Sequence, residues 1–300
     1  MRYCVAGHSF QVESSNERLL AQMTNYEPFG ITQELDTEPI FTLKVEQNGL
    51  LSMEQREVYP HVFTDNSEDD MPRIEVYRSL EKEWLIRISQ IATSPICCEL
   101  VCDADFTRGM LHIDADCQDV RFCIDNGLML MYAFRTASLM TLEMHAAVVV
   151  KRGDEAKGYL FLGHSGTGKS THARQWLAAF EDAWLLNDDN PILRVMDDGQ
   201  VRVYGSPWSG KTPCYQNAYA KVGGIVKLSQ APYNKIRRVS LPEAYAYLLS
   251  SASGLKMERR IADSMYESIK YVITHVKCSH MECLPNVDAA KICYQGIMCT

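Results

Sequence analysis

Several features that mark whole classes of protein are missing from this sequence. The N-terminus, MRYCVAGHSF, has no basic region followed by an apolar stretch, so we expect no signal peptide. No apolar run is long enough to cross a bilayer, and the richest one, residues 127–134, is followed at once by Arg135. The formal net charge of −8 disfavours a general nucleic-acid binder. The sequence therefore predicts a cytoplasmic protein with neither nucleic-acid nor membrane partners.

Paired C-x-x-C spacing, which marks structural zinc sites, is also missing, although the chain has eleven cysteines. Two groups of possible metal ligands lie close together in the sequence. The first is Cys97, Cys98 and Cys102, and the second is Cys278, His280 and Cys283. In the first group Cys98, Leu100 and Cys102 alternate as one face of a strand would, so packing is the favoured explanation. An odd number of scattered cysteines is typical of reduced thiols, and no zinc site is assigned.

The hydrophobic pattern divides the chain into two predicted domains. In residues 1–124, apolar side chains alternate in several short segments, which predicts a mostly antiparallel, β-rich domain. The last of these predicted strands carries Val120, Phe122 and Ile124. Asp125 or Asn126 is then expected to cap a buried helix that runs to about Met144 and opens a second domain, residues 125–300.

The strongest motif is a phosphate-binding loop within residues 158–180, GYLFLGHSGTGKSTHARQWLAAF. Gly163, Gly168, Lys169 and Ser170 fill the pattern G-x-x-x-x-G-K-[ST], known as Walker A. An apolar run precedes the loop and helical periodicity follows it, so the loop joins a strand to a helix, as its mechanism requires.

The chemistry expected of this loop is the binding of a nucleotide or of pyrophosphate. Its glycines let consecutive backbone N–H groups point at one place, and the following helix adds the positive end of its dipole. Lys169 can reach the β- and γ-phosphates of ATP or GTP, and the Ser170 hydroxyl can ligate Mg²⁺. The predicted cofactor-binding residues are Gly163, His164, Ser165, Gly166, Thr167, Gly168, Lys169, Ser170 and Thr171.

A second polar group follows the loop helix. An apolar run ends in Asp188 and Asp189, where a Walker B carboxylate would lie. Because adjacent strand residues point to opposite faces, one of the two is expected to face the γ-phosphate. A hairpin turn at 197–199 then leads to the Gly-rich loop 205–212, in which Lys211 is either a catalytic cation or a solvated lysine.

The order of these features resembles the catalytic domain of HPr kinase/phosphorylase, among the P-loop proteins that fold like phosphoenolpyruvate carboxykinase. The resemblance runs from about residue 125 to the C-terminus. It implies an α/β fold in which a P-loop kinase domain with a mixed sheet follows the β-rich N-terminal domain. It also implies that Asp188 is the base that accepts the substrate proton and that Asp189 lies toward Mg²⁺. It favours an active-site role for His145, which the residues alone leave equally open to a semi-buried core histidine.

The function implied by this resemblance is a Mg²⁺-dependent kinase that transfers the γ-phosphoryl group of ATP to a hydroxyl. The acceptor hydroxyl, serine first of all, would belong to a peptide, a protein or a small molecule, and a homo-oligomer is expected because family members are often oligomers. Thr171 stands where members that act on HPr have glutamate, and their R-P-G-R-N signature has no counterpart in residues 277–300, so the chemistry carries over better than the substrate. Two alternatives stay open, a nucleotide-responsive regulatory protein with little transfer and a carboxykinase-type lyase.

Overall fold

The computed structural model describes residues 1–32, 38–65, 72–153, 155–210 and 212–299. The chain divides into two compact units, an N-terminal unit, Met1–Arg135, and a C-terminal unit, Thr136–Thr300. Each unit contains its own β-sheet with buried apolar side chains. No helix in the described ranges is both long and apolar enough to span a bilayer.

The N-terminal unit is built around one large sheet. Its elements are β1 (Arg2–Val5), β2 (His8–Glu13), α1 (Glu17–Leu20), β3 (Thr42–Glu46), α2 (Met53–Glu57), β4 (His61–Asp65), β5 (Arg73–Arg78), β6 (Trp84–Ser89), β7 (Ile96–Cys102), β8 (Arg108–Ile113) and α3 (Val120–Thr136). The strand order is β1-β2-β3-β8-β7-β6-β5-β4. Pairing is antiparallel except that β3 runs parallel to both β2 and β8. The predicted β-rich, mostly antiparallel character of this region is confirmed.

The predicted strand at 120–124 is wrong, because these residues form the first turn and a half of α3. The side chain of Asp119 accepts a hydrogen bond from the Phe122 N–H, which caps the helix earlier than the Asp125 start that the sequence predicted. The helix also ends at Thr136, well short of Met144. The alternation of apolar residues over so short a stretch is compatible with a strand and with a helix. The hydrogen bond to Asp119 favours the helix, because it satisfies an N–H group of the first turn. The unit boundary accordingly follows this helix, at Arg135, instead of preceding it.

The C-terminal unit is an α/β structure with a mixed sheet. Its elements are β9 (Thr141–Glu143), β10 (Ala146–Lys151), β11 (Lys157–Leu162), α4 (Lys169–Ala179), β12 (Ala183–Asp189), β13 (Ile192–Val195), β14 (Val201–Tyr204), β15 (Tyr219–Gln230), β16 (Lys235–Arg238), α5 (Leu241–Ser251), α6 (Arg259–His275), β17 (Cys278–Cys283) and α7 (Val287–Cys299). The main strand order is β12-β10-β11-β15-β14-β13-β9, and β17 joins β15 to β16. The β11–β15 and β15–β17 pairs are parallel, whereas the others are antiparallel.

An aromatic cluster fixes the helix that begins at the phosphate-binding loop. Trp176 of α4 is fully buried, with its ring centroid 4.9 Å from that of Tyr159 and 5.3 Å from that of Phe161 on β11. The ring centroid of Tyr294 of α7 lies 5.8 Å from those of both Trp176 and Tyr159. Large rings at these separations bury much apolar area and restrict rotation. They hold α4 against β11, and so fix the two elements that the loop joins.

Candidate functional site

The loop between β11 and α4 has the local structure that its motif predicted. Gly168 is the N-cap of α4 and has φ +103°, a backbone conformation that residues with a Cβ rarely adopt. The Thr167 N–H donates to the His164 carbonyl at 3.2 Å, which closes the turn inside the loop. The first residues of α4, Lys169 and Ser170, therefore follow a tight turn at the end of a buried strand, the setting in which helix N-termini bind phosphate groups.

A chain of three side chains crosses the mouth of this loop. Lys169 Nζ lies 2.8 Å from His145 Nε2, and His145 Nδ1 lies 3.1 Å from Asp189 Oδ1. Lys169 Nζ also donates to the carbonyl oxygens of Gly163, at 3.0 Å, and His164, at 3.3 Å. The ammonium group is thus held by the loop's own backbone and by the imidazole.

The two contacts of His145 determine which of its ring nitrogens carries the proton. A lysine ammonium has donors only, so Nε2 must accept from it and cannot itself be protonated. The proton is then on Nδ1, from which it is donated to the Asp189 carboxylate. His145 thus joins the loop lysine to a carboxylate of β12.

Burial governs the protonation of the lysine itself. It lowers the pKa of Lys169, and the negative charges of Asp189 and then Asp188 offset only part of that effect. Lys227 of β15, which pairs with Leu162 at the end of β11, adds a positive charge that also lowers the pKa of Lys169. The sequence reasoning missed Lys227, because nothing in a strand pattern distinguishes it from a solvated lysine.

Asp188 differs from Asp189 in its surroundings. It is 7% exposed, and its Oδ1 is buried without a hydrogen-bond partner in the part of the chain that the structure describes. Asp189 is less buried and is engaged by His145. A buried acceptor oxygen without a donor is costly in a folded protein, so it indicates a site completed by a ligand.

A buried amide, which the sequence reasoning also missed, arranges the backbone of both aspartates. Asn187 is fully buried, and its Oδ1 accepts from the N–H groups of Asp189, at 3.0 Å, and Asn190, at 2.9 Å. Its Nδ2 donates to Ser206 Oγ, at 3.1 Å, and to the Trp208 carbonyl, at 3.0 Å. One side chain therefore joins the end of β12 to the Gly-rich loop. The signal that could have found it is an amide directly before two carboxylates.

The Gly-rich loop approaches β12 too closely for larger residues. A Cβ on Gly205 would lie 2.0 Å from the Gln216 carbonyl oxygen and 3.1 Å from that of Leu186. The Gly210 N–H donates to the Asp188 carbonyl at 3.2 Å. Trp208 is 2% exposed, so its ring packs in the interior of the unit. Lys211, the predicted second cation, lies outside the described residues.

A second carboxylic acid, Glu143 of β9, is buried near Asp189. Neither of its oxygens makes a hydrogen bond of good geometry within the described ranges. Burial and then the charge of Asp189 raise the pKa of Glu143 to about 8, and the nearby Ser253 lowers it only in part. Glu143 is therefore mainly protonated at neutral pH. Nothing in its sequence context predicts this.

A pocket of about 550 Å³ opens on one side of the loop. Gly166, Thr167, Gly168 and Thr171 of the loop and α4 form one wall, and the ends of β15 and β17 form the other. The second wall is largely apolar, with Leu228, Ala231, Leu284 and Pro285. Gln230 Nε2 donates to the Gly166 carbonyl at 3.2 Å and joins the two walls. The volume and lining suit a flat organic group next to a phosphate-binding loop.

The structure thus brings together four residues that the sequence analysis singled out, Lys169, His145, Asp188 and Asp189, around a loop that carries the Walker A residues. The second group of cysteines and histidine, by contrast, is part of a strand, since Cys278, His280 and Cys283 all belong to β17. In comparisons with known proteins the chain matches no protein-family model and no curated protein significantly, so the chemistry of the site rests on its own residues.

Proposed function

We propose that the C-terminal unit is an ATP-dependent kinase of the HPr kinase type, which transfers the γ-phosphoryl group to a hydroxyl. The proposed acceptor is a serine hydroxyl, or a similar hydroxyl, on a peptide, a protein or a small molecule. The observation that carries the proposal is the unpartnered, buried Oδ1 of Asp188 beside a phosphate-binding lysine. A buried free acceptor at that point is what a general base requires.

In the proposed reaction, the acceptor hydroxyl gives its proton to Asp188 while its oxygen attacks the γ-phosphorus. The bond between that phosphorus and the β,γ-bridging oxygen breaks, and the nucleoside diphosphate leaves. Lys169 exchanges its bonds to Gly163, His164 and His145 for the β- and γ-phosphates and neutralises their charge. Lys227 is a second cation close to the same phosphates, a role that the sequence reasoning gave to Lys211.

His145 is proposed to act as a positioning residue. Its contacts hold Lys169 and Asp189 at a set separation before nucleotide binds. When Lys169 turns to the phosphates, the Nε2 of His145 becomes free to accept another donor, while Nδ1–H continues to orient Asp189. Positioning and charge neutralisation account for most of the catalysis in phosphoryl transfer, so such a residue affects the rate without exchanging a proton with the substrate.

The oxygen donors present suit Mg²⁺. Ser170 and Asp189 would hold the ion, which prefers hydroxyl, carboxylate and phosphate oxygens. When bound, Mg²⁺ would neutralise charge on the β- and γ-phosphates.

The proposal is tested with Asp188→Asn, assayed by transfer of labelled phosphate from ATP to serine peptides, small hydroxyl compounds and extract proteins. Loss of the base should lower transfer by about 10²- to 10⁴-fold. ATP affinity, measured by calorimetry, should change little, because Asp188 is expected to contact the acceptor and not the nucleotide. Asp197→Asn, which changes an exposed carboxylate in the hairpin turn, is the matched control. If wild type binds ATP but labels no acceptor class, the regulatory alternative replaces the kinase.

The pocket beside the loop is proposed to hold the nucleoside of the phosphoryl donor. Since pyrophosphate has no nucleoside, filling the pocket should affect the binding of ATP and not that of pyrophosphate. Ala231→Trp should fill the pocket and weaken ATP binding about tenfold or more, by steric exclusion of the base. Pyrophosphate binding, which uses only the loop, should stay unchanged. Calorimetric titration with both ligands is the measurement, and Tyr233→Trp on the nearby surface is the control. Equal weakening for both ligands would mean that the substitution disturbs the loop itself.

A further inference from the structure

Four thiols from two separate stretches of the N-terminal unit lie near one another. The Sγ atoms of Cys97, Cys98 and Cys123 all lie within 4.8 Å of one another. The Sγ of Cys117 lies 3.6 Å from that of Cys123. Cys102, which the sequence grouped with the first two, belongs to the same strand but not to this cluster.

A β-bulge brings the two neighbouring cysteines to one side. In the β6–β7 pair, Ile88 is opposite Cys98 and Ser89 is opposite Ile96, so Cys97 is an extra residue without its own partner. Adjacent residues of a regular strand point to opposite faces, and a bulge removes that alternation locally. Cys97 and Cys98 can therefore both contact Cys123, which strand periodicity alone would forbid.

The other two thiols belong to the connection from β8 to α3, which contains Cys117, and to the start of α3, which contains Cys123. The Asp114 N–H donates to the Cys97 carbonyl at 2.9 Å, and the Cys117 N–H donates to the Asp114 carbonyl at 3.1 Å. These bonds fold the connection back over the bulge of β7. Cys123 lies in the first turn of α3, where the helix dipole favours negative charge. Three separate elements thus bring sulfur atoms to one point.

We propose that Cys97, Cys98, Cys117 and Cys123 form a structural zinc site. Thiolate sulfur is the donor that structural Zn²⁺ sites use most, in tetrahedral sets of four. With Zn–S bonds of about 2.3 Å, the sulfurs of such a tetrahedron are roughly 3.8 Å apart. The sulfurs of Cys97, Cys98 and Cys123 already lie within 4.8 Å of one another, and that of Cys117 lies 3.6 Å from that of Cys123. To complete the tetrahedron, the Cys117 side chain has to move toward Cys97 and Cys98.

The expected role of the metal is to cross-link the unit. It would join β7, the connection after β8 and the start of α3, three separate parts of the N-terminal unit. Cys98 and Cys123 are fully buried, and Cys97 and Cys117 are partly buried, so the ion would be largely shielded from water. A closed set of four protein ligands leaves no position for a substrate, which distinguishes a structural site from a catalytic one.

The test uses the untagged full chain, purified in reducing buffer without chelator. Elemental mass spectrometry should find about one zinc ion per chain, and Co²⁺ in its place should give the strong thiolate charge-transfer absorption of a tetrahedral sulfur site. Cys117→Ser changes a partly exposed ligand and should weaken zinc binding by at least about 100-fold while the chain stays folded. Cys102→Ser, a buried thiol of the same strand outside the cluster, is the matched control and should bind zinc as wild type does.

Stability provides a second readout. Removing zinc with a strong chelator should lower the Tm of wild type and of Cys102→Ser by about 5 °C or more, and leave that of Cys117→Ser unchanged. Zinc content below about a tenth of an equivalent, with no Co²⁺ thiolate absorption after metal is added, would overturn the proposal. So would stoichiometric copper, or a Cys117–Cys123 disulfide that persists in the purified chain.

Discussion

Glu143 is a carboxylic acid of the C-terminal unit whose pKa is shifted by its buried position. It is buried beside Asp189, and its pKa is raised to about 8. The group therefore holds a proton in the folded unit at pH values where the unfolded chain has already lost it. A protonated acid next to the candidate site also avoids adding another negative charge beside Asp188 and Asp189.

This raised pKa predicts how stability depends on pH. Between its ordinary value of 4.5 and about 8, Glu143 binds more protons folded than unfolded, so its contribution to stability falls as pH rises through that window. Glu143→Gln cannot ionise and should remove this decline. The difference in free energy of unfolding, variant minus wild type, should grow by at most about 1.4 kcal/mol per pH unit and level off above pH 8.

The measurement is urea unfolding at several pH values from about 5 to about 9, in the absence of Mg²⁺ and nucleotide. Glu181→Gln, on an exposed residue between α4 and β12, is the control and should follow wild type throughout. A Glu143→Gln curve parallel to that of wild type would show that Glu143 has an ordinary pKa.

At the scale of elements, the candidate site depends on the contact between the end of β12 and the Gly-rich loop. Asn187 makes four hydrogen bonds there and is fully buried. Its side-chain oxygen accepts from the N–H groups of Asp189 and Asn190, and its side-chain NH₂ group donates to the Gly-rich loop. A strand end and a loop that are separate in sequence become one rigid support for the carboxylates.

Asn187→Ala should therefore destabilise the unit and reduce phosphoryl transfer together. Loss of the side chain leaves the Asp189 and Asn190 N–H groups and the Trp208 carbonyl without these partners, which we expect to cost about 2–4 kcal/mol. Chemical unfolding and the transfer assay are the two measurements. Asn190→Ala is the neighbouring control, because that side chain makes none of these four bonds. A stable variant with normal transfer would mean that the loop is held by other contacts.

At the scale of the whole molecule, each of the two units has its own sheet and its own buried side chains. Every residue invoked for phosphate binding or transfer lies in the C-terminal unit. The proposed zinc ligands all lie in the N-terminal unit. The two proposals can therefore fail or succeed separately.

We predict that residues 136–300 fold and bind nucleotide when expressed alone. The aromatic cluster around Trp176 and the full set of loop residues are contained in that span. Mg²⁺ and ATP at about 100 times the dissociation constant should stabilise the fragment by about 2.7 kcal/mol, seen as a rise in Tm. Lys169→Ala in the same fragment should abolish that rise, measured against the variant's own ligand-free Tm, because the substitution also removes the bonds of Lys169 to Gly163, His164 and His145. A fragment that is unfolded, or folded without a response to ATP, would contradict the prediction.

Much of the C-terminal unit could be predicted because its signals are local. The predicted hairpin turn at 197–199 is confirmed. The capping box of Ser240 and Glu243 and the buried stripe of α6 are further features with local causes. Each depends on residues within one or two turns of each other, so a single stretch of sequence contains the whole cause. The β10–β11 hairpin that leads into the phosphate-binding loop likewise depends on neighbouring segments of the chain.

The sequence by itself determined the Walker A motif of the loop, the strand and helix on either side of it and the two carboxylates at the end of the next strand. Only the tertiary structure decided which side chains meet there. The register that pairs Ala146 with Asp189 places His145 beside that carboxylate, and the bulge in β7 turns two adjacent cysteines to one side. Register and bulges follow from packing between segments that are distant in the chain, and the periodicity of any one segment cannot reveal them.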